Sequence, residues 1–159
     1  MNLQAFMAQN VRQVGTEKRV VSDRFIGEDG KTIPFEFKAI TGEEEAAIRK
    51  SCMVKVKVKK HVTMDQLDQT TFLGKVAVAC IVYPDLKNEE LQNSYGVRGD
   101  DVLLKTMLLP GEYQEVLNIV QEINGYEKDM NELRDEAKNL LRRVMVRQTM
   151  PTTPSISLE

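Results

Sequence analysis

The sequence is poor in the side chains that usually carry out chemistry. It holds a single histidine, His61, and two cysteines, Cys52 and Cys80, in 159 residues. One imidazole with no thiolate cluster beside it cannot make a zinc site. The cysteines sit in apolar surroundings without CxxC spacing, which reads as reduced, buried thiols and excludes a disulfide-scaffold fold. No GxGxxG, GxxxxGKS/T, GxSxG or HExxH occurs, so the sequence nominates no catalytic residue, no cofactor-binding residue and no metal ligand. Long apolar runs are missing too: the longest, Val76 to Tyr83, is far shorter than the ~20 residues of a membrane span. The N-terminus has no basic start leading into an unbroken apolar stretch, so neither a signal peptide nor a membrane location is expected. Charge of one sign is also lacking. Lys and Arg total 22 against 24 Asp and Glu, and a net charge of -2 exerts no overall pull on DNA or anionic lipid.

What is present is a soluble α+β pattern, 42% apolar and 29% charged, of a length that suits one domain. Leu3, Phe6, Met7 and Val11 recur at helical spacing behind Asn2, which predicts a short helix over 2–14 ended by Gly15. Lys18 to Ile26 and Lys31 to Ile40 read as a β-hairpin around Gly27-Glu28-Asp29-Gly30, whose Asp-Gly pair suits a tight turn. On the second strand Ile33, Phe35 and Phe37 share an apolar face, and Pro34 predicts a sheet edge. Thr41 to Glu44 form a capping box that opens a helix to about Cys52, with Ala47, Ile48 and Cys52 inward and Glu43 to Glu45 complementing the helix dipole.

Met53 to Val62 alternates Val54, Val56 and Val58 with Lys55, Lys57 and Lys59, predicting one half-buried strand with a basic outer row ending at Lys60 and His61. Those lysines suit either a nucleic-acid or acidic-partner surface or a sheet edge kept soluble, and the acidic total charge favours the second. Asp65 is the expected cap of a central helix reaching about Val82, stopped by Tyr83-Pro84. A short helix should end near Gly96, another should run from Asp100 to Leu109, and a third from Glu112 to Ile123 before Asn124-Gly125. First-turn capping explains the Asp100-Asp101 pair and Glu112.

The last periodic element is a long C-terminal helix over 126–148, and the body is read as 1–125. Its apolar stripe, Met130, Leu133, Ala137, Leu140, Val144 and Met145 together with Leu141, either packs on the body or binds a partner. These six are the candidate partner-binding residues. Of eight methionines most serve as core filler, and Met130 and Met145 are the best contact candidates. Residues 149–159 read as a disordered tail whose final Leu-Glu matches a cloning scar.

The run from Pro84 to Tyr113, PDLxxxELQxSYG followed by LLPGEY, together with the hairpin residues Arg24-Phe25-Ile26 and Gly30-Lys31, resembles the XkdN-like tail assembly chaperones of PBSX-type phages and prophages over about residues 1–140. The resemblance implies a non-enzymatic protein of the host bacterial cytoplasm, absent from the mature virion, that keeps the tape measure protein soluble while the tail tube assembles. It implies the tape measure protein as partner, with the tail tube protein and self-association as further partners. It also implies a longer product made by ribosomal frameshifting, for which Ala137-Lys138-Asn139 is a tripeptide that slippery codons can encode, although helix surface chemistry accounts for it equally. Two other readings stand beside it: a minor tail or baseplate component retained in the particle through the Met53 to Val62 strand edge, and a nucleic-acid-binding module using Lys55, Lys57, Lys59 and Lys60.

Overall fold

The computed structural model describes residues 2–126, and they form an α+β fold. The hairpin forms where Asp29-Gly30 places it. Gly27 N–H donates to Lys31 O at 2.9 Å, and Gly30 takes φ 74°, a left-handed conformation open to glycine. The ladder is shorter than expected, because β1 is Glu17–Arg19 and β2 is Phe35–Phe37. Ile26 pairs with Thr32 and Arg19 with Phe35, so seven steps of one arm face three of the other. The surplus from Val20 to Phe25 loops away from the ladder and buries Val21 and Ser22.

β2 is the middle strand of a three-stranded antiparallel sheet, flanked by β1 and by β5 (Ile81–Tyr83), and not the edge that Pro34 predicts. Pro34 lies just before the first ladder residue, so its missing N–H removes no ladder bond. Phe35 and Phe37 are buried as expected, with ring centroids 6.3 Å apart.

The Thr41 capping box is present in full, and α1 spans Gly42–Ser51. Thr41 N–H donates to Glu44 Oε2 at 2.8 Å, and Glu44 N–H to Thr41 Oγ1 at 3.2 Å. Ile48 is half-buried and Cys52 buried, but Ala47, expected inward, is exposed. It lies about 100° round the helix from Ile48, off the narrow stripe that faces the body.

Met53 to Leu67 departs most from expectation. The predicted single strand is the first half of a hairpin, β3 (Met53–Lys59) and β4 (Val62–Leu67), turning at Lys60-His61. It is not half-buried, since every residue of β3 is exposed. Asp65 is no helix cap; it lies in β4 opposite Lys55. The cap is Asp68, whose carboxylate accepts from Thr71 N–H at 3.2 Å and Thr71 Oγ1 at 2.7 Å.

From Asp68 the helix α2 spans Gln69–Cys80 and passes directly into β5, so the apolar run Val76 to Tyr83 is helix up to Cys80 and strand from Ile81. The β-branched pair Ile81-Val82 suits a strand, and Pro84 disfavours helical geometry at Tyr83. α3 (Glu89–Ser94) is capped by Asn88 and ends before Gly96, at φ 67°. α4 (Asp100–Met107) is capped by Gly99 at φ 105°, with Asp100 as its first residue and not its cap. α5 (Pro110–Ile123) starts two residues earlier than expected, because proline is well placed in a first turn.

α2 packs against α4 and α5, and the core gathers Phe35, Phe37, Val76, Ala77, Cys80, Leu103, Leu104, Val116 and Val120. The N-terminal helix is reduced to a 3-10 turn, Leu3–Phe6, behind the expected Asn2 cap. Every residue from Asn2 to Lys18 is exposed. A short helix with nothing to pack against is marginal in water. The long C-terminal helix over 126–148, its stripe and the tail lie outside the described residues, Tyr126 apart.

Candidate partner-binding surfaces

The densest polar constellation is a clasp inside the body. Glu112 takes a bidentate ion pair from Arg24, at 3.0 Å from Nε and 2.6 Å from Nη2. It also accepts from Ser22 Oγ and from Leu109 N–H. Arg24 Nη2 donates to Met107 O at 3.0 Å as well. The guanidinium and these donors hold the Glu112 carboxyl down at about 2. Such a carboxylate, ionised and fully engaged, makes a joint and not a proton acceptor. By sequence Glu112 is a first-turn residue only. The longer reach was hidden because its partners lie about 90 positions away.

Among the described residues, no group of three or more His, Cys, Asp and Glu side chains could hold a metal ion. His61 lies in the β3–β4 turn. Cys52 and Cys80 are free and buried, as expected, and burial pushes the Cys80 thiol up although Asn124 Nδ2 donates to its sulfur at 3.3 Å.

A groove of about 580 Å³ opens between α1, α2, β5 and the start of α4. Ile48, Val78, Ala79, Ile81, Val82 and Leu86 give it an apolar lining, and Lys38, Lys75 and Lys87 stand with Asp85 and Asp100 around it. Lys75 Nζ reaches Ser51 Oγ at 3.3 Å. The ion pairs among the described residues are Arg19–Glu17, Arg19–Glu122, Arg24–Glu112 and Arg49–Glu45, so none of the three groove lysines is ion-paired with a carboxylate of the described residues. Nothing in the sequence marks these lysines as a group, since Lys38 follows β2, Lys75 lies in α2 and Lys87 in the turn after β5.

The β3–β4 hairpin adds a second surface. Val54, Val56, Val62 and Met64 lie on one face, with Val58 at the bulged end, and all five are exposed. Lys55 and Lys57 line the other face, where Asp65 stands opposite Lys55, and past the bulge Lys59 pairs with Val62. A third apolar surface is the N-terminal arm, where Leu3, Phe6, Met7, Val11 and Val14 are all exposed. The predicted contact residues Met130, Leu133, Ala137, Leu140, Val144 and Met145 lie outside the described residues.

Comparison with known proteins places these features in a family. The family model of the phage XkdN-like tail assembly chaperone proteins matches residues 3–138. XkdN of the phage-like element PBSX of Bacillus subtilis is 32% identical over 139 residues, covering 87% of this chain and 94% of that protein. The uncharacterized protein YqbN of the same organism is 35% identical over 120 residues, covering 75% of this chain and 80% of the relative. The crystal structure of YqbN matches with a TM-score of 0.67 at 30% identity, over 79% of this chain and 97% of that one. Arg24 and Glu112, which lie in the two segments that carry the sequence resemblance, are the residues the fold clasps together. The chain belongs to the XkdN-like family of phage tail assembly chaperones.

Proposed function

We propose that this chain binds the tape measure protein in the host cytoplasm and keeps it soluble while the tail tube assembles, without remaining in the finished particle. The observation that supports this reading is the groove between α1, α2 and β5. Its apolar lining suits the apolar stripe of an amphipathic helix, and Lys38, Lys75 and Lys87 suit acidic residues flanking that stripe. Covering such a stripe prevents aggregation without covalent chemistry. In the same reading the stripe Met130, Leu133, Ala137, Leu140, Val144 and Met145 is a second client contact.

Co-expression of a tape measure segment with the full chain tests the function. The client should stay in the soluble fraction with the wild-type chain. It should lose that protection with Val82→Asp in the groove, or with Leu133→Asp and Leu140→Asp together. Undiminished rescue by both folded variants would overturn these contact surfaces. A client that aggregates equally with and without the chain would overturn the function itself. Finding the chain in purified particles in stoichiometric amount would instead support the structural-component reading.

A further inference from the structure

The molecule carries two exposed apolar surfaces of matching size. One is the arm, whose Leu3, Phe6, Met7, Val11 and Val14 recur at helical spacing, with Phe6 81% and Val14 77% exposed. The other is the β3–β4 face of Val54, Val56, Val58, Val62 and Met64, the last of them 61% exposed. A helix from Leu3 to Val14 would be about 17 Å long, and Val54 to Val58 spans about 13 Å of strand. Both surfaces carry little charge: the arm has Arg12 alone, and Lys55 and Lys57 lie on the hairpin's opposite face, while Lys59 pairs with Val62 at the bulged end.

The arm is partly wound already. Met7 N–H donates to Gln4 O at 3.3 Å and Val11 N–H to Met7 O at 3.1 Å, so a docked helix would extend turns that exist. With the helix running to Val14, Gly15 and Thr16 link it to β1 and give a reach of roughly 7 Å when extended. A two-stranded hairpin, for its part, gains stability by packing against a helix.

The geometry points to a dimer in which the arm of each chain docks as a helix on the β3–β4 face of a second copy. Area decides for reciprocal exchange. At roughly 100 Å² for each fully exposed side chain, one arm and one hairpin face together offer about 500 Å², below what a specific interface needs. Two reciprocal contacts reach about 1,000 Å², the lower bound. Exchange also closes the assembly, whereas one-way docking would propagate into filaments. This inference does not rest on the client reading, because it uses neither the groove nor the C-terminal stripe.

Light scattering on the eluting full-length protein tests it. The wild-type chain should elute at twice the chain mass, and Phe6→Asp and Val56→Asp should each halve that mass while circular dichroism loses no more than the helix of the arm. Mixing a Phe6→Cys chain with a Val56→Cys chain should give an oxidised heterodimer absent when either is oxidised alone. A monomeric wild-type chain would overturn the proposal, as would a dimer that both aspartate variants leave intact. An intrachain crosslink in a chain carrying both cysteines at once, with no interchain product, would place the arm on its own hairpin and overturn it too. A wild-type chain that dimerises but does not rescue the client counts against the chaperone reading alone, and a monomeric wild-type chain that still rescues counts against the dimer alone.

Discussion

Glu112 shows how one side chain ties distant sequence together. Its carboxylate joins the loop after β1 to the start of α5 through Ser22, Arg24 and Leu109. Its folded pKa, about 2, lies below the ordinary 4.5, so the charged form is favoured on folding. The stability this contributes is fully present above pH 4.5 and is lost as pH falls through about 2. Glu112→Gln should therefore lower the urea midpoint at pH 7 and flatten the acid limb of the stability profile, both read by denaturation at several pH values. At the centre of the sheet, Phe37 is fully buried against Phe35. Phe37→Ala should cost about 3–5 kcal/mol, measured by the same titration. The burial of Phe37 was legible from its alternation with Glu36 and Lys38. The clasp was not, because nothing local distinguishes a capping glutamate from one that also grips an arginine from another element.

Among the elements, α1 is where local chemistry speaks most directly. Its capping box satisfies two backbone donors reciprocally, so Thr41→Ala should cost about 0.5–2 kcal/mol in equilibrium unfolding. The β3–β4 hairpin makes the opposite point. Its valines alternate with lysines as core-facing valines do, yet they face solvent, so Val56→Asp should change monomer stability by no more than about 0.5 kcal/mol. Periodicity records which residues share a face and leaves open what that face meets. The same limit explains the misplaced cap of α2. Asp65 and Asp68 are equally good cap residues by type, and pairing of β4 with β3 claims the first. In the run Val76 to Tyr83, apolarity without a period cannot say where helix gives way to strand, and pairing of β5 with β2 settles it.

For the whole molecule, the client reading and the arm-exchange dimer lead to separable outcomes, one read by client solubility and the other by mass. Leu133→Asp with Leu140→Asp should abolish rescue while leaving the dimer at twice the chain mass, since neither residue belongs to the arm or the hairpin. Family membership was legible from the ordered run Pro84 to Tyr113, and the α+β class from the change of period along the chain. The sequence by itself determined the Thr41 cap, the Gly30 turn and the stop at Asn124-Gly125, because these are contacts between residues at most four apart. Only the tertiary structure decided that Pro34 stands beside a central strand, that the β3–β4 valines face solvent, and that Lys38, Lys75 and Lys87 line one groove with Arg24 gripping Glu112 elsewhere. Those outcomes depend on which elements pack together, and that is set by the burial of the shared core, a sum over contacts far apart in the chain that no local pattern encodes.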